Sequence, residues 1–161
     1  ARAAKRPAVG AGDAASAAPA PAPAGPDANG AAALAHELQK AGNASYQQWR
    51  FAEAIAHFTN ALEASDRAGV PRPVQLYSNR SAAYCGLKEW ELALKDADAT
   101  IAANPTWSRG HSRRGNALHG MQRLEDAVAA YQEALKLDPA NDTVRKSMQG
   151  CLVMQREQQQ Q

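Results

Sequence analysis

Three stretches of this chain open on a large apolar residue and carry an alanine three places on: Phe51 with Ala54, Trp90 with Ala93, and Leu124 with Ala127. Seven residues beyond each alanine stands another small residue, Ala61, Thr100 or Ala134. Ala93 and Ala127 lie 34 residues apart, whereas Ala54 and Ala93 lie 39 apart. The five extra residues fall in EASDRAGVPRP, where Gly69, Pro71 and Pro73 mark a loop. A period of this length means that one supersecondary unit is copied along the chain.

Each of these helical stretches follows another: LAHELQKAGNASYQQ, VQLYSNRSAAYCGL and SRGHSRRGNALHGM. Gly42, Ser81 and Gly115 occupy the same place in the three copies. Small residues there let two antiparallel helices approach closely. Asn104-Pro105 and Asp138-Pro139 close the second and third units, because proline disfavours helix at the residue before it. The unit is therefore helix, tight turn, helix. A single hairpin cannot bury its own apolar face, but a stack of them does.

Composition agrees with this. Of the 161 residues 45% are hydrophobic, and alanine supplies much of that share, which suits small-residue helical packing better than a thick β core. The formal net charge of +2 is too small to argue for nucleic acid or a membrane surface. Basic residues are not interleaved with aromatics, as single-strand binding requires, and no apolar run approaches the roughly 18 residues of a membrane span. His36, His57, His111 and His119 are scattered without ligand spacing, and Cys85 and Cys151 read as reduced thiols on apolar helix faces. No catalytic residues, metal site or cofactor are expected.

Residues 1–30 are almost all Ala, Pro and Gly, with Arg2, Lys5 and Arg6. Proline at this density removes backbone donors and fixes φ, so a disordered linker is expected. An organelle transit segment is the lesser alternative, since the prolines oppose an amphipathic helix. At the other end, residues 141–161 read as a capping helix with a Gln-rich end. Asn141 or Asp142 caps its start, and Val144, Met148, Leu152 and Gln155 share one face.

The 34-residue period, the matched small residues and the closing prolines resemble the tetratricopeptide (TPR) repeat. That resemblance implies an all-α solenoid of three TPR hairpins (about 34–73, 74–107 and 108–140) plus the capping helix, preceded by the disordered tail. His111 stands where an aromatic or Leu is expected and reads as a packed variant.

In such an array the first helix of each hairpin lines a concave groove. Gln39, Asn43, Asn79, Arg109 and Arg113 then fall on one strip. The set resembles the dicarboxylate clamp of TPR co-chaperones of the Hsp-organising type, whose places hold Lys, Asn, Asn, Lys and Arg. LYSNRSAAY and WSRGHSRR strengthen the likeness to that family's first TPR domain. The resemblance implies a cytoplasmic, monomeric adaptor or co-chaperone that binds the acidic Glu-Glu-Val-Asp tail of a heat-shock chaperone. The alternative is a TPR scaffold that docks a folded partner without a clamp. Gln39 departs from the clamp lysine, and Lys40 is the neighbouring cation able to reach the groove. Tyr46, Ala82 and Ala83 are expected to form a small apolar pocket for the ligand's valine. Arg80 is expected to bridge to an acidic side chain of a neighbouring helix, Asp96 or Asp98, with direct ligand contact as the lesser alternative.

Overall fold

The computed structural model describes residues 28–161, and within them the chain is a succession of seven helices without strands. They are α1 (Ala28–Gln47), α2 (Phe51–Ala68), α3 (Val74–Gly86), α4 (Trp90–Ala103), α5 (Ser108–Gly120), α6 (Leu124–Leu137) and α7 (Asp142–Gln159). Helices α1–α2, α3–α4 and α5–α6 form the three hairpins, and α7 packs on α6 as the cap. The all-α solenoid read from the period is the observed fold. Helix α1 begins at Ala28, ahead of the expected Ala31, so the last residues assigned to the linker are helical. The rest of the Ala/Pro-rich stretch lies outside the described residues.

The sequence supplies its own stops. Helices α1, α3 and α5 each end in the same turn, with a left-handed residue at Trp49 (φ 62°), Lys88 (φ 60°) and Gln122 (φ 61°). In each, the next amide donates back five residues: Arg50 N to Ser45 O (3.0 Å), Glu89 N to Tyr84 O (3.0 Å) and Arg123 N to Leu118 O (2.9 Å). This is the Schellman closure, which satisfies otherwise orphaned carbonyls. Helix α2 ends the same way at Gly69 (φ 64°), the residue type that suits the left-handed position best. Asn141 caps α7 by accepting from Val144 N at 3.2 Å.

Packing follows the small residues. A methyl group added at Gly42 would sit 2.5 Å from the Phe58 ring, and one at Gly115 would sit 2.5 Å from the Tyr131 ring. Each glycine thus admits an aromatic ring of its hairpin partner. In the middle hairpin Ala97 takes the aromatic's place, and Ser81 Oγ donates instead to Ala93 O at 2.8 Å. Ala54, Ala93 and Ala127 are fully buried, as are Ala61 and Thr100. Buried cores form at α1–α3, around Phe58, Leu62 and Leu76, and at α5–α7, around Leu118, Tyr131 and Cys151.

On α7 the buried stripe runs through Val144, Met148 and Cys151, while Leu152 faces solvent. The expected stripe through Leu152 is corrected by one residue: seven residues make a little under two turns, so Cys151 lies closer to the Val144 line. His111 is half-buried rather than packed in the core, and its Nε2 donates to Pro105 O at 2.9 Å.

Candidate functional site

Neighbouring positions on a helix differ by about 100° in direction, and α3 uses this at Asn79 and Arg80. Arg80 turns into the stack. Its Nε and Nη2 donate to Asp96 Oδ2 (2.7 Å) and Oδ1 (2.8 Å), and its Nη1 donates to Thr59 Oγ1 (3.1 Å). One guanidinium therefore ties α3 to α4 and α2. The Asp96 carboxylate holds Arg80 above its ordinary pKa. Arg114, its counterpart on α5, pairs with Asp98 at 3.6 Å. The sequence offered both aspartates to Arg80, and helix packing assigns one to each arginine.

Asn79 turns the other way, into the groove. Its Nδ2 donates to Asn43 Oδ1 at 2.9 Å, so the amides of α1 and α3 touch. One turn apart on α5, Arg109 and Arg113 face them. The Arg113 Nε donates to the Ser78 carbonyl at 3.1 Å, and Arg109 lies over the Trp107 ring at 5.3 Å. Burial pulls Arg113 below its ordinary pKa, and the nearby Arg109 charge pulls in the same direction. Among the described residues neither arginine makes an ion pair, in contrast to Arg80 and Arg114.

Asn43, Tyr46, Asn79, Ala82, Arg109 and Arg113 line one cavity of about 260 Å³, together with Gln47 and Phe58. Among the described residues no acidic side chain lines it. Tyr46 stands edge-on to Phe51, with centroids 5.3 Å apart, which braces its ring at the rim. Ala83 is fully buried in the core, so the apolar wall comes from Tyr46, Ala82 and Phe58 rather than from Ala83. Gln39 and Lys40 do not line the cavity. Lys40 is exposed and pairs with Glu37 at 3.6 Å. Gln47 was missed although it lies one turn beyond Asn43. Phe58 reaches the cavity only because Gly42 leaves room for its ring.

Cys85 borders this region, and burial pushes its thiol up to about 11, with Arg113 opposing. It is therefore protonated near neutral pH and a poor nucleophile. Among the described residues no group of three or more His, Cys, Asp or Glu is arranged to hold a metal, and no helix is long and apolar enough to cross a membrane.

Residues 108–141 match the family model of the tetratricopeptide repeat. The chain is 42% identical over 108 residues to the heat shock protein sti1 homolog of Schizosaccharomyces pombe, covering 67% of this chain and 17% of that protein. It is 38% identical over 115 residues to the Hsp70-Hsp90 organizing protein of Triticum aestivum, covering 71% of this chain and 19% of that one. The chain thus spans less than a fifth of the length of these relatives. The first TPR of Spaghetti (RPAP3), solved bound to the HSP90 peptide SRMEEVD, matches with a TM-score of 0.69 at 28% identity, covering 76% of this chain and 94% of that one.

Proposed function

We propose that this chain, which is built of tetratricopeptide repeats and resembles those of the Hsp70-Hsp90 organizing proteins, is a binding module for the acidic C-terminal tail of a heat-shock chaperone. It acts as a cytoplasmic adaptor, by binding and without catalysis.

One observation carries this reading: two arginines without carboxylate partners among the described residues face two touching asparagine amides across one cavity. A C-terminal aspartate presents two carboxylates. Arg109 and Arg113 offer planar forks suited to bidentate contact. Asn79 already donates to Asn43 Oδ1, which leaves the Asn43 Nδ2 to donate to the terminal carboxylate. Tyr46 and Ala82 supply apolar surface for the side chain of the preceding valine. The structural neighbour with 28% identity was solved with a peptide of this type.

The direct test is a calorimetric titration with SRMEEVD and with the same peptide amidated at its C-terminus. The free acid binds and the amide loses nearly all affinity. Arg113→Ala weakens the free acid by about 2 kcal/mol, the loss of a charge-assisted contact. Affinity also falls as salt rises, because the groove charges are partly exposed. Equal binding of acid and amide would refute the clamp and leave the scaffold reading.

A further inference from the structure

Trp49 and Leu34 are the most exposed of the large apolar side chains among the described residues, at 80% and 53%. Both belong to the first hairpin, Leu34 on α1 and Trp49 in the turn that ends it. Trp49 also holds a left-handed φ of 62°, where a bulky side chain is strained. Its ring meets Phe51 edge-on, with centroids 5.9 Å apart, and otherwise stands in the open. A strained backbone position thus holds out a large ring that residues 28–161 leave almost uncovered.

Helix α1 carries a face of the same kind. Gly30, Leu34, Ala41 and Ala44 recur at helical spacing on the side turned away from Asn43 and Tyr46. Glu37 shares this face and is paired with Lys40. A methyl group added at Gly30 would meet nothing within 4 Å. Helix α1 packs on α2 and touches α3, and no hairpin stands before it among the described residues.

We infer that this outer face, from Leu34 to Trp49, is the docking surface for the chain's own Ala/Pro-rich segment, residues 17–24. Residues 14–24, AASAAPAPAPA, carry no charge, so an alternating Ala-Pro helix is apolar on every side. Proline fixes φ near the polyproline value, and that helix makes no internal hydrogen bonds, so its side chains are free to pack against another element. Polyproline segments bind where aromatic rings are exposed. Gly25-Pro26-Asp27, a turn signal, stands immediately before the first residue of α1.

The lengths agree. A polyproline helix advances about 3.1 Å per residue and an α-helix about 1.5 Å. Folded back from Asp27, the segment passes about two residues of α1 with each of its own. Pro23 then comes level with His36, Pro19 with Ala44, and Ala17 with Trp49. The segment lies on the side of α1 away from the groove, so it braces the first hairpin and leaves the cavity at Asn43 open. It does not depend on what the groove binds.

The test uses the full chain labelled with 5-fluorotryptophan. Its three indoles, Trp49, Trp90 and Trp107, give separate fluorine signals, and Trp49→Phe assigns the first. The shift of each signal between H2O and D2O measures how far water reaches the ring. In the unaltered chain Trp49 is expected to show the small isotope shift of a covered indole. Pro19→Gly, Pro21→Gly and Pro23→Gly together should raise it to the free-indole value, leaving Trp90 and Trp107 unmoved and helicity unchanged. Leu34→Gln, at an exposed position, should raise it in the same direction. A free-indole shift at Trp49 in the unaltered chain overturns the docking, as does a small shift that survives the proline exchange. A small shift that is lost on dilution assigns the cover to a second copy and overturns it equally.

Discussion

Asn79 Nδ2 donates to Asn43 Oδ1 across 2.9 Å, although the two residues are 36 apart in the chain. The bond joins the first helices of two successive hairpins at the floor of the groove. It also orients the Asn43 amide so that its own N–H groups face the cavity. Asn79→Ala therefore removes one donor and loosens another. Peptide affinity should fall by about tenfold, with thermal stability nearly unchanged, since both amides border the cavity rather than the core. Titration of the variant with SRMEEVD, beside a melting curve, checks both halves.

Gln39 stands one turn before Asn43 and brings no charge, and the nearby Lys40 is engaged with Glu37 outside the cavity. Gln39→Lys should tighten the acidic peptide by about tenfold at low salt, the gain of one charge-assisted contact. The gain should shrink as ionic strength rises. Lys40→Ala should leave affinity close to that of the unaltered chain. A large loss in that variant would mean that Lys40 swings into the groove when peptide arrives.

Arg80 and Asp96 form a bidentate pair with side chains only 17% and 5% exposed. Arg80→Ala leaves the Asp96 carboxylate buried without its cation and should destabilise the fold by about 3 kcal/mol. Replacing both, Arg80→Leu with Asp96→Leu, should recover most of that loss. The corresponding Arg114→Ala should cost well under 1 kcal/mol, because Arg114 and Asp98 are half-exposed and 3.6 Å apart. Chemical denaturation of the three variants separates these outcomes.

Three of the four Schellman turns place a residue other than glycine in the left-handed position. Gln122→Gly should relieve that strain and raise stability by about 0.5–1 kcal/mol, net of the added freedom of the unfolded chain. The reverse exchange, Gly69→Ala, should lower it by a similar amount. Midpoints of denaturation, with unchanged slope, read both effects.

Much was legible before any coordinates, and for a local reason. The 34-residue spacing, the alanines at 54, 93 and 127 and the small residues at 42, 81 and 115 all express packing within a hairpin or between neighbours. Such contacts repeat whenever the sequence repeats, so a periodic pattern carries them in full. The opposite duties of Asn79 and Arg80 were legible in the same way, because helical rotation alone separates adjacent side chains.

Other features depend on how the hairpins turn relative to one another. Asp96 and Asp98 are two residues apart on α4, and the angle between α3, α4 and α5 alone gives the first to Arg80 and the second to Arg114. Phe58 enters the groove cavity past Gly42, and Ala83 leaves it. These arrangements join residues from different helices, and their geometry comes from the superhelical stacking of whole hairpins. Sequence order specifies the repeating unit and the chemistry on each face. The packed stack specifies which of those faces converge, because convergence is a sum of rotations that no single repeat contains.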